Sequence, residues 1–208
     1  MSDSSTGGLL TPSGATAPPM DTALEDLLQA IVVGLTALPA AMVRPRWQVV
    51  TPKQPEPAVD WCALGFIGSA PDTGPAIIHS GTGDGSDTLQ RHRTMRFLAS
   101  FYGPNGHANA EQFVDGLSLP QTNEAFRTYR MAIVSAGEVV AAADLINQNW
   151  VRRFDMTFEL RRQVVRTYEV FNLLDAPFAL RADSMKQQSS DQQINTDIPG
   201  STNTPATD

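Results

Sequence analysis

Residues 151–162 read VRRFDMTFELRR, and apolar and polar side chains alternate along them. Arg152, Phe154, Met156, Phe158 and Leu160 fall on one side of an extended chain, and Arg153, Asp155, Thr157, Glu159 and Arg161 on the other. Successive side chains of a strand point to opposite faces, so this period of two predicts a strand with one face in a core and one in water. The following run, RRQVVRTYEVFNLL, predicts a continuation of that strand or a turn into a neighbouring one before Asp175, Ala176 and Pro177. Residues 92–102 alternate in the same way. Met95, Phe97, Ala99 and Phe101 share one face, and His92, Thr94, Arg96 and Ser100 the other.

The remaining elements are read around these two strands. In residues 21–38, Leu24, Leu27, Leu28, Ile31, Leu35 and Leu38 recur at spacings of three and four, which predicts a helix ended by Pro39. Thr22 with Glu25 matches a capping box at its start. Residues 60–68 predict a buried strand, 76–79 a short one, and 80–88, SGTGDGSDT, a Gly/Asp loop. Two short helices are expected at 109–117 and 122–131, with GPNG before them and Pro120 between them, then a strand at 132–141 that Gly137 can interrupt. The fold class is α+β, an antiparallel or mixed sheet flanked by helices, with extended N- and C-terminal arms. The domain spans 21–181. The arms, 1–20 and 182–208, are rich in small and polar residues that bury too little apolar surface to offset backbone ordering.

With 208 residues, 41% hydrophobic and 18% charged, the chain can bury one sizeable core. A formal net charge of -7 argues against a general DNA coat, which needs clustered Lys and Arg to neutralise phosphates. An acidic surface could still wall a passage that must not grip DNA. Cys62 is the single cysteine, so neither an intramolecular disulfide nor a cysteine metal cluster is expected, and a reducing cytosol is the natural place of synthesis. No signal-like start and no apolar run of membrane-spanning length is present, which predicts a protein made soluble, without a membrane partner.

The stretch most suggestive of an enzyme is HSGTGDGSD, residues 79–87. It lacks the GK[ST] ending of a phosphate loop and the closing glutamate of an EF-hand. His79, Asp84 and Ser86 therefore support only a remote reading as a small hydrolase. His79, His92 and His107 lack metal-ligand spacing, Cys62 lies in an apolar run, and no G-x-S-x-G elbow occurs. Asp155 and Glu159 share a strand face with Arg153 and Arg161, as in a charge-balanced surface. The expectation is no catalytic residue, no metal and no cofactor. Arg152, Arg153, Arg161, Arg162 and Arg166 gather on one pair of strand segments, which reads either as a solvated face or as a contact surface. Residues 42–57, MVRPRWQVVTPKQPEP, stay extended at low entropic cost, and Arg44, Arg46 and Trp47 are of the types that anchor interfaces. The competing reading of Trp47 is a cover over the end of the first helix.

Six pieces occur in one order: VRPRWQ, PKQPEP, DWCALGFIG, GDGSDTLQRH, LASFYGPN and WVRRFDMTFELRRQVVRTYEVFNLL. Together they resemble the neck or tail-terminator (collar) proteins of contractile-tailed bacteriophages, over roughly residues 21–175. The resemblance implies a virion structural protein without enzymatic activity, made in the bacterial host cytoplasm and assembled as a homo-oligomeric ring, a hexamer. Its implied partners are the head–tail connector and portal side and the tail tube and sheath, with DNA transiting the bore without specific binding. Asp84 and Asp87 are the loop carboxylates expected to line that bore. Another head–tail connector or a minor tail morphogenesis protein would share these features and remains the alternative.

Overall fold

The computed structural model describes residues 4–50, 52–146 and 148–173. Its elements are β1 (Gly14–Thr16), α1 (Asp21–Thr36), β2 (Val43–Pro45), β3 (Trp61–Pro71), β4 (Ala76–Ser80), β5 (Ser86–Tyr102), α2 (Gly106–Leu117), α3 (Pro120–Arg127), β6 (Met131–Ala141), β7 (Asp144–Ile146), β8 (Asn149–Val151) and β9 (Arg153–Tyr168). The two alternating segments pair with each other. β5 and β9 run antiparallel in unbroken register from Asp87 opposite Tyr168 to Tyr102 opposite Arg153. This ribbon is flanked on each side by two strands placed end to end: β3 and β4 along β5, and β6 and β1 along β9. β2 adds to β3 in parallel, so the sheet is mixed.

Helices cover one face of this sheet, and the core lies between. Leu24, Leu28 and Val32 of α1, Ala110, Phe113 and Leu117 of α2, and Phe126 of α3 pack on Cys62, Leu64, Met95, Phe97, Phe101, Met156, Phe158 and Leu160. Phe158 lies at the centre: its ring centroid is 5.3 Å from Phe97 and 5.5 Å from Phe113. The α+β reading holds, with the helices on the face that the alternation assigns to the core.

Boundaries shift for identifiable reasons. α1 ends at Thr36 because Ala37 turns left-handed (φ 58) and donates its N–H to Val33. The capping box does not form: the helix already begins at Asp21, so Thr22 and Glu25 lie inside it, and Met20 at the N-cap supplies no side-chain hydrogen bond. β5 begins at Ser86 rather than 92. Residues 86–91 are all half-buried, so no alternation marks them. α2 begins earlier than expected, at Gly106, and α3 uses Pro120 in its first turn, where a missing N–H costs nothing. Gly137 does interrupt β6, at a register shift between Ala136 and Val139, where a Cβ would come within 2.9 Å of the Thr157 carbonyl oxygen. The β7–β8 hairpin is additional to the sequence reading.

Part of the segment read as an N-terminal arm joins the sheet: Gly14, Ala15 and Thr16 pair with Thr167, Arg166 and Val165 of β9. The expected C-terminal arm, 182–208, lies outside the described residues. Removing residues 1–16 deletes β1 but no core side chain, so the expected cost is about 1 kcal/mol, or roughly 3 °C in Tm. Calorimetry of the truncated chain checks this, and an unchanged Tm would mean that the pairing contributes nothing.

Candidate assembly interface

The Pro-rich stretch leaves β2 along the open edge of the sheet. The Arg46 amide donates to the Leu64 carbonyl at 2.8 Å, keeping the chain beside β3 for one more residue. Its guanidinium crosses to the face opposite the helices and donates to the Ser100 hydroxyl, which in turn donates to Asp155. Arg153 grips the same carboxylate through Nε at 2.8 Å and Nη2 at 2.6 Å, and reaches Asp144 through Nη1 at 3.0 Å. Burial would raise the Asp155 pKa, but the hydrogen bonds from Arg153 and Ser100 outweigh it and hold the carboxyl below its ordinary range. Such a group stabilises the fold above the unfolded carboxylate pKa of about 3.9, and the contribution is lost as pH falls through the lower native value. Beside the network, Trp61 stacks on Tyr102 at 4.1 Å and with Ala63 and Val151 forms a second, smaller apolar cluster. Cys62 is fully buried and its thiol pKa is pushed up by that burial, so it behaves as a small hydrophobe.

Trp47 follows directly and rests on Gly65 of β3. A Cβ at position 65 would lie 2.6 Å from the indole Cζ3, so glycine is what lets the ring approach the strand. Trp47 as a whole is nonetheless 63% exposed, Val49 and Val50 beyond it are fully or almost fully exposed, and Phe66 and Ile67 on the adjoining strand are about half exposed. Five large apolar side chains thus lie in two short neighbouring segments at a sheet edge. Clustered exposure of this kind marks contact surfaces, whereas scattered apolar residues do not.

The other singled-out residues are mostly engaged within the subunit. Arg44 donates to the carbonyls of Ala41 at 3.1 Å and Lys53 at 2.9 Å, pinning the Pro-rich loop. Arg161 is paired with Asp72. Arg152 is exposed between β8 and β9. Arg162, read from sequence as part of a contact face, is buried on the helix-covered side in line with Phe158 and Leu160. Its even-numbered phase in the alternation already carried that signal.

In the Gly/Asp loop, His79 Nδ1 lies 2.7 Å from Asp87 and Nε2 lies 2.9 Å from the Asn172 side-chain oxygen. Asn172 cannot be turned over, because its Nδ2 donates to the carbonyls of Gly81 and Gly83, both at 3.1 Å. Both ring nitrogens therefore face acceptors, which only the imidazolium satisfies. The His79 pKa is accordingly raised, first by the hydrogen bond to Asp87 and then by that to Asn172. The remote hydrolase reading needs His79 to take a proton from Ser86, but Nε2, the atom that could do so, is occupied by Asn172. Asp84 remains exposed, while Asp87 is committed to His79. The contact is at full strength below the ordinary histidine pKa of about 6.5 and weakens as pH rises through the higher native value. NMR titration of His79 should report that raised value, and His79→Gln should abolish the pH dependence of the Asn172 amide shift. An ordinary His79 pKa would contradict the doubly bonded arrangement.

Among the described residues, no group of three or more His, Cys, Asp or Glu is placed to hold a metal ion, and no helix is long and apolar enough to cross a membrane. The polar side chains of the sheet bind one another, and the conspicuous free surface is an apolar edge. That is the make-up of a subunit that acts by contact with other proteins. The chain belongs to the phage neck terminator protein family, whose model matches residues 22–182, from α1 through β9 and beyond. No curated protein matches it. Membership makes it a structural component of the bacteriophage virion, placed at the neck, where it contacts other head and tail proteins.

Proposed function

We propose that the chain forms a homo-oligomeric ring, a hexamer as the resemblance implies, that caps the tail tube and joins it to the head connector while DNA passes through its bore. The observation that carries this reading is the apolar edge of Trp47, Val49, Val50, Phe66 and Ile67, which a subunit acting alone would leave against water. Trp47 is its anchor, with Arg152 as the exposed cation available to a neighbour; Arg44, Arg46, Arg153, Arg161 and Arg162 act indirectly by fixing the strands and loop that present them. The protein works without catalysis, cofactor or metal. Of the two loop carboxylates, Asp84 is the better candidate for a bore-facing charge, because His79 neutralises Asp87.

A phage lacking this chain tests the reading. Separate filled heads and tails of irregular, extended length are expected, and joined particles with tails of normal length would overturn it. Ser86→Ala, in the former hydrolase candidate, is expected to leave the yield of joined particles within about twofold of the parent, since a surface substitution of this kind changes stability by about 0.5 kcal/mol or less. A tenfold loss in a plaque assay would return chemistry to that loop.

A further inference from the structure

Two apolar features of the subunit have no cover within it, and they lie on different elements. The first is a groove of about 300 Å³ between α1 and the edge formed by β2 and β3. Leu24, Leu28, Met95 and Phe97, each 7% exposed or less, form its floor, and the more exposed Trp47 and Phe66 form its rim. Both of those rings also belong to the apolar edge, so groove and edge make one surface. The charged residues of the lining are Asp21, Glu25, Arg44 and Arg162, which sum to zero but are not equally available. Arg44 is committed to the carbonyls of Ala41 and Lys53, and Arg162 is buried. Asp21 and Glu25 are exposed, Asp26 adds a third exposed carboxylate, and α1 contains no Lys or Arg. The α1 side of the groove is therefore acidic.

The second feature is the β7–β8 hairpin, which stands outside the main sheet. A ribbon of two strands is marginal alone, and this one is held at its base, where Val151 packs with Ala63, Tyr102 and Trp61 and where Asp144 pairs with Arg153. Leu145 and Trp150 lie directly opposite each other across the ribbon, so they share a face, and they are 60% and 71% exposed. They make an apolar knob. Arg152, two residues after Trp150, is exposed and has no ion pair among the described residues.

We infer that the hairpin knob of one copy enters the groove of the next, with the Trp150 indole against the hydrocarbon between α1 and Phe66 and with Arg152 against the α1 carboxylates. Size and charge both favour this occupant. Pockets that enclose a small molecule begin at about 300 Å³, so an indole with one leucine beside it suits the volume. The free cation next to the knob meets the acidic side of the groove, and Trp and Arg are the side chains most enriched at the energetic centres of interfaces. A nucleic acid would bring phosphates against three carboxylates. A different protein in the groove would leave the knob in water, whereas a second copy covers both features. Because knob and groove are separate surfaces of one chain, the contact is head-to-tail, the kind that closes as a ring. The inference rests on the ring reading and specifies its subunit contact.

The test uses the full chain in assembled particles, with a benzoylphenylalanine photo-cross-linker in place of Leu145. Irradiation should give covalent dimers whose links map to residues 21–28, to Trp47 or to Phe66. Trp150→Ala should cut the dimer yield about tenfold or more, as the loss of an aromatic anchor does. Arg152→Glu should cut it about fivefold, and Glu25→Arg added to the same chain should recover most of that loss. These side chains are exposed in the subunit, so each purified variant should melt within about 3 °C of the parent. Links within one copy, links to a different neck protein, dimers joined elsewhere, no dimers from particles that contain the chain, a yield indifferent to Trp150→Ala, or no recovery by Glu25→Arg would each overturn the inference. Joined particles with any of those outcomes would leave the ring reading standing, whereas absence of the chain from particles would remove both.

Discussion

Trp47→Ala combined with Val50→Asp should cut the joining of heads to tails by roughly 30-fold or more while the subunit still folds. A buried aromatic anchor at a protein interface is worth about 2 kcal/mol or more, which corresponds to roughly 30-fold in affinity at a single contact. A ring repeats the contact at every subunit boundary, so the effect on assembly compounds. The cost to the isolated subunit is smaller. Val50 is 80% exposed and Trp47 63% exposed, so each gives up little burial within the subunit. About 1 kcal/mol of stability is expected from that loss. Counting joined particles by electron microscopy alongside calorimetry of the purified variant separates the two effects. Normal joining would remove the apolar edge from the account.

Phe158→Ala should act in the opposite way, through the fold. Phe158 is 1% exposed, lies at mid-sheet on β9, and contacts the rings of Phe97 and Phe113 from a strand and a helix respectively. Truncating a buried phenylalanine costs about 3–5 kcal/mol, because the lost transfer energy is joined by the cavity left behind. Against a total stability of about 5–15 kcal/mol, that change lowers Tm by about 10 °C or leaves much of the chain unfolded. Thermal unfolding of the variant provides the measurement. A loss below about 1 kcal/mol would mean that the ring is not at the centre of the core.

The frame of the fold was legible because water and core impose different demands on alternate residues. In β9, Phe154, Met156, Phe158 and Leu160 declare one face, and in β5 Met95, Phe97, Ala99 and Phe101 declare its partner. Where both faces are half-wet, as at residues 86–91, the signal vanishes although the strand continues. The capping box failed because spacing alone does not fix where a helix starts: Thr22 and Glu25 have the right separation, but the N-cap is Met20, two residues before Thr22. β1 could not be read, since three small residues acquire strand geometry only from the edge of β9. Among the site residues, Trp47 stood out as an aromatic in a Pro-rich stretch, and its exposure is what keeps it as the proposed anchor. The inward roles of Arg46 and Arg153 were not, because Ser100 and Asp155 become their partners only through cross-strand register. Arg162 was legible in principle, being in phase with the core-facing positions, but its charge argued for the surface.

Where the chain sits in the intact particle tests the account's central claim most directly. Electron microscopy of whole virions, with the chain carrying a small density label at its N-terminus, should place it as a single ring between the head connector and the top of the tail tube. The Trp47 edge should be turned toward a neighbouring protein rather than toward solvent. Density for the label along the tail, at its distal end or on the capsid surface would contradict the neck ring, as would a ring at the neck whose Trp47 edges all face water.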